Sequence, residues 1–215
     1  WNKNMSLEMF KLFWANPNYV FENEATTGTF QWNDVQFFMV DNRWFRTPND
    51  NHTGDRDFLG KKQINWLIDA LIGSKATFKF IVCGGQVINP AKVFENMATY
   101  DAERAELLKK IADAKVPGVF FLTGDRHHTC LQKLERAGNL YPLYDLTVSP
   151  MTAGKADAVK QDYNETLVPG TLVQERAFSK IEVTGPLKDR TLTITLFNVK
   201  GEVLWTKELK SNLLK

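Results

Sequence analysis

Three short apolar runs, Val35–Val40, Phe78–Cys83 and Val119–Leu122, with a further short strand at Tyr144–Val148, constrain this chain more than any other feature. Two stretches between them carry apolar residues at helical spacing. One holds Ile64, Leu67, Ile68, Leu71 and Ile72, the other Leu108, Ile111 and Ala112. Continuous apolar strands separated by amphipathic helices predict neighbouring parallel strands, buried on both faces of one sheet. Parallel neighbours end on the same edge, and here three of them end in polar chemistry. The first stops at Asp41-Asn42-Arg43, the second at Gly84-Gly85-Gln86, and the third at Gly124-Asp125-Arg126-His127-His128. Ligand crevices of open α/β sheets lie at such carboxyl ends.

The remaining segments frame this body. Residues 5–14 predict a short helix, ended by Asn16-Pro17-Asn18. Gly28–Trp32 and Val35–Val40 predict a hairpin across Asn33-Asp34. Gly73 closes the first amphipathic helix, and Asp101 is placed to cap the second. Residues 155–175 are polar and irregular, with a turn at Pro169-Gly170, and suggest a surface loop or a lid. The character then changes. Leu192, Ile194 and Leu196 alternate with threonines, flanked by Phe178–Val183 and Val203–Trp205, as in half-exposed antiparallel strands. The expected organisation is one domain over 1–215, with 176–208 as a terminal β-meander on an α/β body.

Composition removes several function classes. A formal charge of +2 without a Lys/Arg block gives no electrostatic case for nucleic acid. The six tryptophans and the Phe-rich strands lack the interleaved basic residues of a base-stacking platform, which makes them core residues. No apolar run approaches the roughly 20 residues of a membrane span. Cys83 and Cys130 fit neither a zinc spacing nor a disulfide framework, so buried thiols are expected.

The chemistry concentrates after Leu122. Two of the three histidines stand there beside an aspartate. Imidazole and carboxylate are the usual ligands of zinc, manganese and iron, and glycine allows a tight turn around an ion. Asp41, Gln86, Asp125, His127 and His128 are the candidate oxygen and nitrogen ligands, with Arg43 as a planar anion clamp. Such a set suits a phosphate ester held against metal ions. Each residue also has a plainer role: Asp41 with Arg43 fixing the loop, Gln86 capping backbone, Arg126 facing solvent or in a structural ion pair. Gly54-Asp55-Arg56-Asp57 and Asn51-His52 follow no strand and are expected to be loop sequence.

Read in order, several segments resemble the metallophosphoesterase superfamily, and within it the PhoD-like alkaline phosphatase/phosphodiesterase branch. They are Trp14-Ala-Asn-Pro-Asn-Tyr19, Val35–Arg43, Leu59-Gly-Lys-Lys-Gln-Ile-Asn-Trp-Leu67, Phe78–Val82, Gly118–His128 and Leu146-Thr-Val-Ser-Pro150. Only Gly124-Asp-Arg-His-His128 is specific by itself. The superfamily's last motif is Gly-His-x-His. Asp125 stands where its first histidine would be and His127 matches the second.

The resemblance implies an α/β fold of four layers, α/β/β/α, with two metal ions on its edge hydrolysing phosphate mono- or diesters. Paired ions about 3.5–4 Å apart lower the pKa of bound water and stabilise attacking and leaving oxygens. Their identity stays open among zinc, manganese, iron and calcium. His127, Asp125 and Asp41 would be ligands and Arg43 would orient the phosphate. Gln86, near a position that is usually a histidine ligand, would touch substrate. His128 would act as ligand, leaving-group acid or support. The family's early motifs, which supply most ligands, do not occur in this sequence. The expectation is therefore the C-terminal portion of a longer enzyme, partnered by the missing N-terminal segment of the same polypeptide and nearly inactive alone. The start at Trp1-Asn2-Lys3 without a signal peptide agrees with a mature or truncated product of a periplasmic or extracellular protein. The alternative is a non-catalytic binding or scaffold module that keeps the fold without a complete metal centre.

Overall fold

The computed structural model describes residues 2–138 and 140–214. Its elements are α1 (Lys3–Phe13), β1 (Gly28–Trp32), β2 (Val35–Met39), α2 (Lys61–Gly73), β3 (Phe78–Val82), α3 (Asp101–Ala114), β4 (Val119–Thr123), β5 (Cys130–Leu134), β6 (Leu143–Thr147), β7 (Ala177–Thr184), β8 (Thr191–Asn198) and β9 (Val203–Lys210). The first six strands form one sheet in the order β1-β2-β3-β4-β6-β5, and the last three form a separate antiparallel sheet. β2, β3, β4 and β6 are mutually parallel, with β1 and β5 antiparallel on the two edges. The mixed α/β class expected from the apolar runs is the class observed.

The pleat divides the larger sheet into two faces. Phe38 points toward α2, where its ring meets Trp66 at 6.4 Å. On the opposite face Phe30, Phe37, Phe80, Phe120 and Tyr144 occupy one register row across five strands. Their successive ring centroids are 4.6, 5.3, 5.6 and 5.9 Å apart. The three-stranded sheet covers the middle of this row, and Ile181 and Val183 of β7 line a cleft with Phe30, Trp32 and Phe37. Leu192, Ile194 and Leu196 are fully buried, as their alternation with threonine requires. The β-meander is thus laid on the aromatic face and the helices on the other.

Several local expectations change. Asp101 is the first residue of α3 and makes no side-chain cap; Tyr100 holds the cap position. The inward row of α3 is Glu103, Leu107 and Ile111, while Leu108 is only partly buried. Glu103 is buried because its carboxylate accepts the Phe58, Leu59 and Gly60 N–H groups that lead into α2. The edge strand β5 has no counterpart among the apolar runs. Its sequence, Cys130-Leu-Gln-Lys-Leu134, is held by antiparallel pairing with β6. The polar segment 155–175 is a surface loop tied down at several points. It is bridged to the β5 strand through Thr129–Val173 and Gln132–Leu167. Among the described residues no helix is long and apolar enough to cross a membrane.

Candidate active site at the carboxyl edge of the sheet

Parallel registry brings the four polar strand ends together. The joining loops lie so close that two glycines are needed between them. A Cβ on Gly84 would stand 2.8 Å from Asn42 Oδ1, and one on Gly85 would stand 3.1 Å from the Glu95 carbonyl. Gly124 approaches Gly84 and Val148 with more room: its Cβ would meet their carbonyls at 3.8 and 3.9 Å. The loops after β2, β3, β4 and β6 therefore approach one another closely at this edge.

The backbone after β4 is strained. The Arg126 N–H donates to the Gly124 carbonyl at 2.9 Å, and Asp125 between them has φ +71°. A three-residue turn with positive φ at its centre is the rare form of the γ-turn. His127 follows with φ +56°. Left-handed backbone at non-glycine residues costs energy and is concentrated at functional sites. The turn leaves Asp125 exposed, His127 half-buried and Arg126 and His128 buried. A Ser149 hydroxyl after β6 receives the His127 N–H at 3.3 Å.

Beneath the rim lies a polar network. Arg126 grips Asp162 with two parallel bonds and also reaches Gln86 Oε1 at 3.1 Å and Asn96 Oδ1 at 3.3 Å. Gln86 Nε2 donates to Thr147 Oγ1 at 2.8 Å. Asn89 links Gln86 to Asp162, and Asn164 donates to Asn89. On β6, Asp145 accepts the Val87 and Ile88 N–H groups and the Thr123 hydroxyl. Burial pushes the Asp145 carboxyl up, against those three bonds. This network shapes the loop after β3 and fastens the 155–175 segment to the β4 turn.

The predicted residues divide accordingly. Asp125 and His127 stand at the rim, with the Asp125 charge near Arg43. His128 is fully buried and neither ring nitrogen has a hydrogen-bond partner among the described residues. Burial first, and then the Arg126 charge, depress its pKa, so the imidazole is held neutral. The His128 ring thus stands behind the rim, with both nitrogens free of hydrogen bonds among the described residues. Asp41 is half-buried beside Arg43, with its carboxylate engaged by backbone and hydroxyl donors. One carboxylate oxygen takes the Thr26 N–H and hydroxyl, and the other takes the N–H groups of Arg43 and Trp44. Four bonds saturate a carboxylate, so Asp41 fixes the loop after β2. Gln86 is likewise removed from substrate contact by full burial. Arg126 is the structural ion pair and not a solvent-facing residue. The side chain of Asp55 is exposed, away from any strand end.

Sequence reasoning passed over Asp162, Glu95 and Asp145. Asp145 alone had a local signal, a carboxylate inside an otherwise buried strand. Glu95 is the partner of Arg43, whose two terminal nitrogens donate to its two oxygens.

A metal fits this donor set in part. Asp125 and His127 offer one oxygen and one nitrogen donor, and His128 has unpartnered ring nitrogens behind them. Among the described residues no group of three or more His, Cys, Asp or Glu side chains is arranged to hold an ion. Cys83 and Cys130 do not add donors. Burial pushes both thiols up to about 12.

Comparison with known proteins agrees with this architecture. The solved structure of PhoD superposes with a TM-score of 0.62 at 15% identity, over 85% of this chain and 43% of that one. The chain thus spans less than half the length of the PhoD chain it matches. No curated protein sequence matches it. The family model of PhoD-like phosphatases matches residues 17–185, most of the sequence. The chain belongs to the PhoD-like phosphatase family.

Proposed function

We propose that this chain carries the strand-end portion of a metal-dependent phosphoester hydrolase site. The observation that carries the reading is the strained turn at Gly124–His127, which presents an exposed carboxylate and a half-buried imidazole at the carboxyl edge of a parallel sheet. Asp125 and His127 would hold metal, and Arg43 would meet the phosphate. When bound, the metal pair supplies Lewis acidity and a water of lowered pKa. The protein's own contribution is placement. Arg126 fixes the turn from beneath, Ser149 receives the His127 N–H, and His128 fills the space behind as a neutral ring. The remaining ligands would come from a segment of the same polypeptide outside these residues, in a protein working outside the cytoplasm. By itself the chain would then hydrolyse esters poorly. Mono- and diesters both fit this reading.

One observation favours a second reading, a scaffold that keeps the fold without a working centre: among the described residues no three-donor cluster exists. Elemental analysis of chain purified without chelator or added metal separates the two. One or two equivalents of metal, lost in the Asp125→Asn/His127→Ala variant, support the hydrolase site. Metal-free protein, with no uptake on adding zinc, manganese, iron or calcium, means that these residues alone hold no working centre, as the scaffold reading requires.

A further inference from the structure

Beside the strand ends, two arginines share one carboxylate. Arg43 donates from both terminal nitrogens to Glu95, with Nη1 3.2 Å from Oε1. Arg46 comes to the same carboxylate from below, with Nη1 3.3 Å from Oε2. The two arginines differ in freedom. The Arg43 side chain is 63% exposed and that of Arg46 only 6%. Arg46 is clamped by Tyr100 Oη at 2.9 Å and Asn49 Oδ1 at 2.6 Å, with its guanidinium 5.4 Å from the Phe58 and Tyr100 ring centres. Its Nη1, the atom nearest Glu95, is buried and makes no hydrogen bond among the described residues.

Glu95 alone lies against both guanidinium groups, and the buried Arg46 Nη1 is left a donor without a hydrogen bond among the described residues. Glu95 is 30% exposed, and the loop carrying it is pinned with its carbonyl against Gly85. Its side chain can leave without moving the loop. The pair it would break is largely exposed and therefore weak. A tetrahedral dianion has more acceptor oxygens than a carboxylate and can meet two guanidinium groups together.

We propose that Arg43 and Arg46 form an oxyanion seat for a phosphoryl group, and that Glu95 is a built-in competitor which the ligand displaces from the Arg43 fork. The ligand class is a phosphate dianion, free or as a monoester. This rests on the phosphohydrolase reading for its meaning. Its physical test does not need a metal. Glu95 then sets anion affinity, keeping the seat closed to weak anions and open to doubly charged ones.

The experiment is titration of this chain with orthophosphate, and in a second arm with phenyl phosphate, at fixed ionic strength with chelator present. It follows heat of binding and the Arg Nε–Hε NMR signals. Glu95→Gln should bind orthophosphate about two- to five-fold more tightly than the wild-type chain, the size expected for removing one competing surface ion pair. Arg43→Ala/Glu95→Gln should lose that gain. Tighter binding of phenyl phosphate than of orthophosphate identifies the ester as the ligand, and equal or weaker binding identifies free phosphate. Equal affinity in wild type and Glu95→Gln, a gain that survives Arg43→Ala, or no binding in either arm overturns the proposal. If Glu95→Gln does not fold, the wild-type spectra decide. Joint movement of the Arg43 and Arg46 signals on adding orthophosphate supports the seat, and its absence overturns it. A metal-free preparation would defeat the metal reading and leave this measurement intact.

Discussion

Arg126 and Asp162 meet through two parallel hydrogen bonds, Nη1 to Oδ1 at 2.8 Å and Nη2 to Oδ2 at 2.7 Å, with side chains 3% and 2% exposed. One belongs to the turn after β4 and the other to the polar segment 155–175. The pair therefore fastens the wall of the crevice to the strand that supplies its rim. A buried ion pair is not by itself strong evidence of stability, but breaking one side leaves an uncompensated charge. Asp162→Ala should cost about 3–5 kcal/mol in urea unfolding at neutral pH. Arg126→Met/Asp162→Leu should recover a large share of that loss. Equal instability of the single and double variants would contradict this account.

The meander is held to the β1–β2 hairpin by Arg190, which donates to Asp34 at 2.9 and 3.1 Å. Partial burial raises the Asp34 carboxyl, but the bonds from Arg190 and Thr77 outweigh it and hold the group below its usual range. A depressed carboxylate pKa stabilises the fold above the unfolded value of about 3.9 and loses that contribution as pH falls through the folded value. Asp34→Asn should flatten the acid limb of the stability curve below about pH 4. Arg190→Ala should cost about 1–3 kcal/mol near neutrality. Denaturant midpoints from pH 6 to pH 3 check both.

Lys79 sits inside β3 with its ammonium on the Ala76 and Pro117 carbonyls, at 2.6 and 3.1 Å. Burial, with a smaller push from Lys75, lowers its pKa to about 8. Above that pH the folded chain has released a proton that the unfolded chain keeps until about 10.4, so this residue makes stability rise with pH across that window. The difference in unfolding free energy between wild type and Lys79→Met should move in favour of the wild type by a few kcal/mol from pH 8 to 10. Taking the difference cancels the opposite contribution of the buried thiols. No movement would place the charged form in the fold throughout.

Two glycines near the strands should respond oppositely to alanine. At Gly118, φ is +73° and an added Cβ would stand 2.1 Å from the Thr77 carbonyl, so the backbone at the start of β4 must shift. Gly118→Ala should cost at least about 3 kcal/mol, in the range of severe strain and overpacking. At Gly124 the nearest atoms are 3.8 and 3.9 Å from the added Cβ. Gly124→Ala should change stability by no more than about 1 kcal/mol. Thermal melts of the two variants side by side test the contrast.

The parts legible in the sequence are those set by local pattern. Val35–Val40 and Phe78–Cys83 are apolar apart from Gln36 and Lys79, Val119–Leu122 is wholly apolar, and polar residues stop each run, so their burial and shared edge were legible. β5 escaped because Gln132 and Lys133 break its apolar run, and only pairing with β6 makes it a strand. The roles of Asp41 and Gln86 depended on which distant groups use their lone pairs. Thr26 lies 15 residues from Asp41, and Arg126 lies 40 from Gln86. Asp162 was invisible for the same reason, since nothing near it in sequence marks a polar loop residue as the partner of a buried arginine.

The turn at Asp125 has a consequence for anyone who tries to improve this protein. A left-handed non-glycine residue stores roughly 1–3 kcal/mol, and glycine would release much of it at the same position. A screen for heat resistance alone would therefore reward Asp125→Gly, and each gain in melting temperature there would discard the carboxylate at the rim. Robustness and the metal-holding role proposed for Asp125 are set against each other at this one backbone angle.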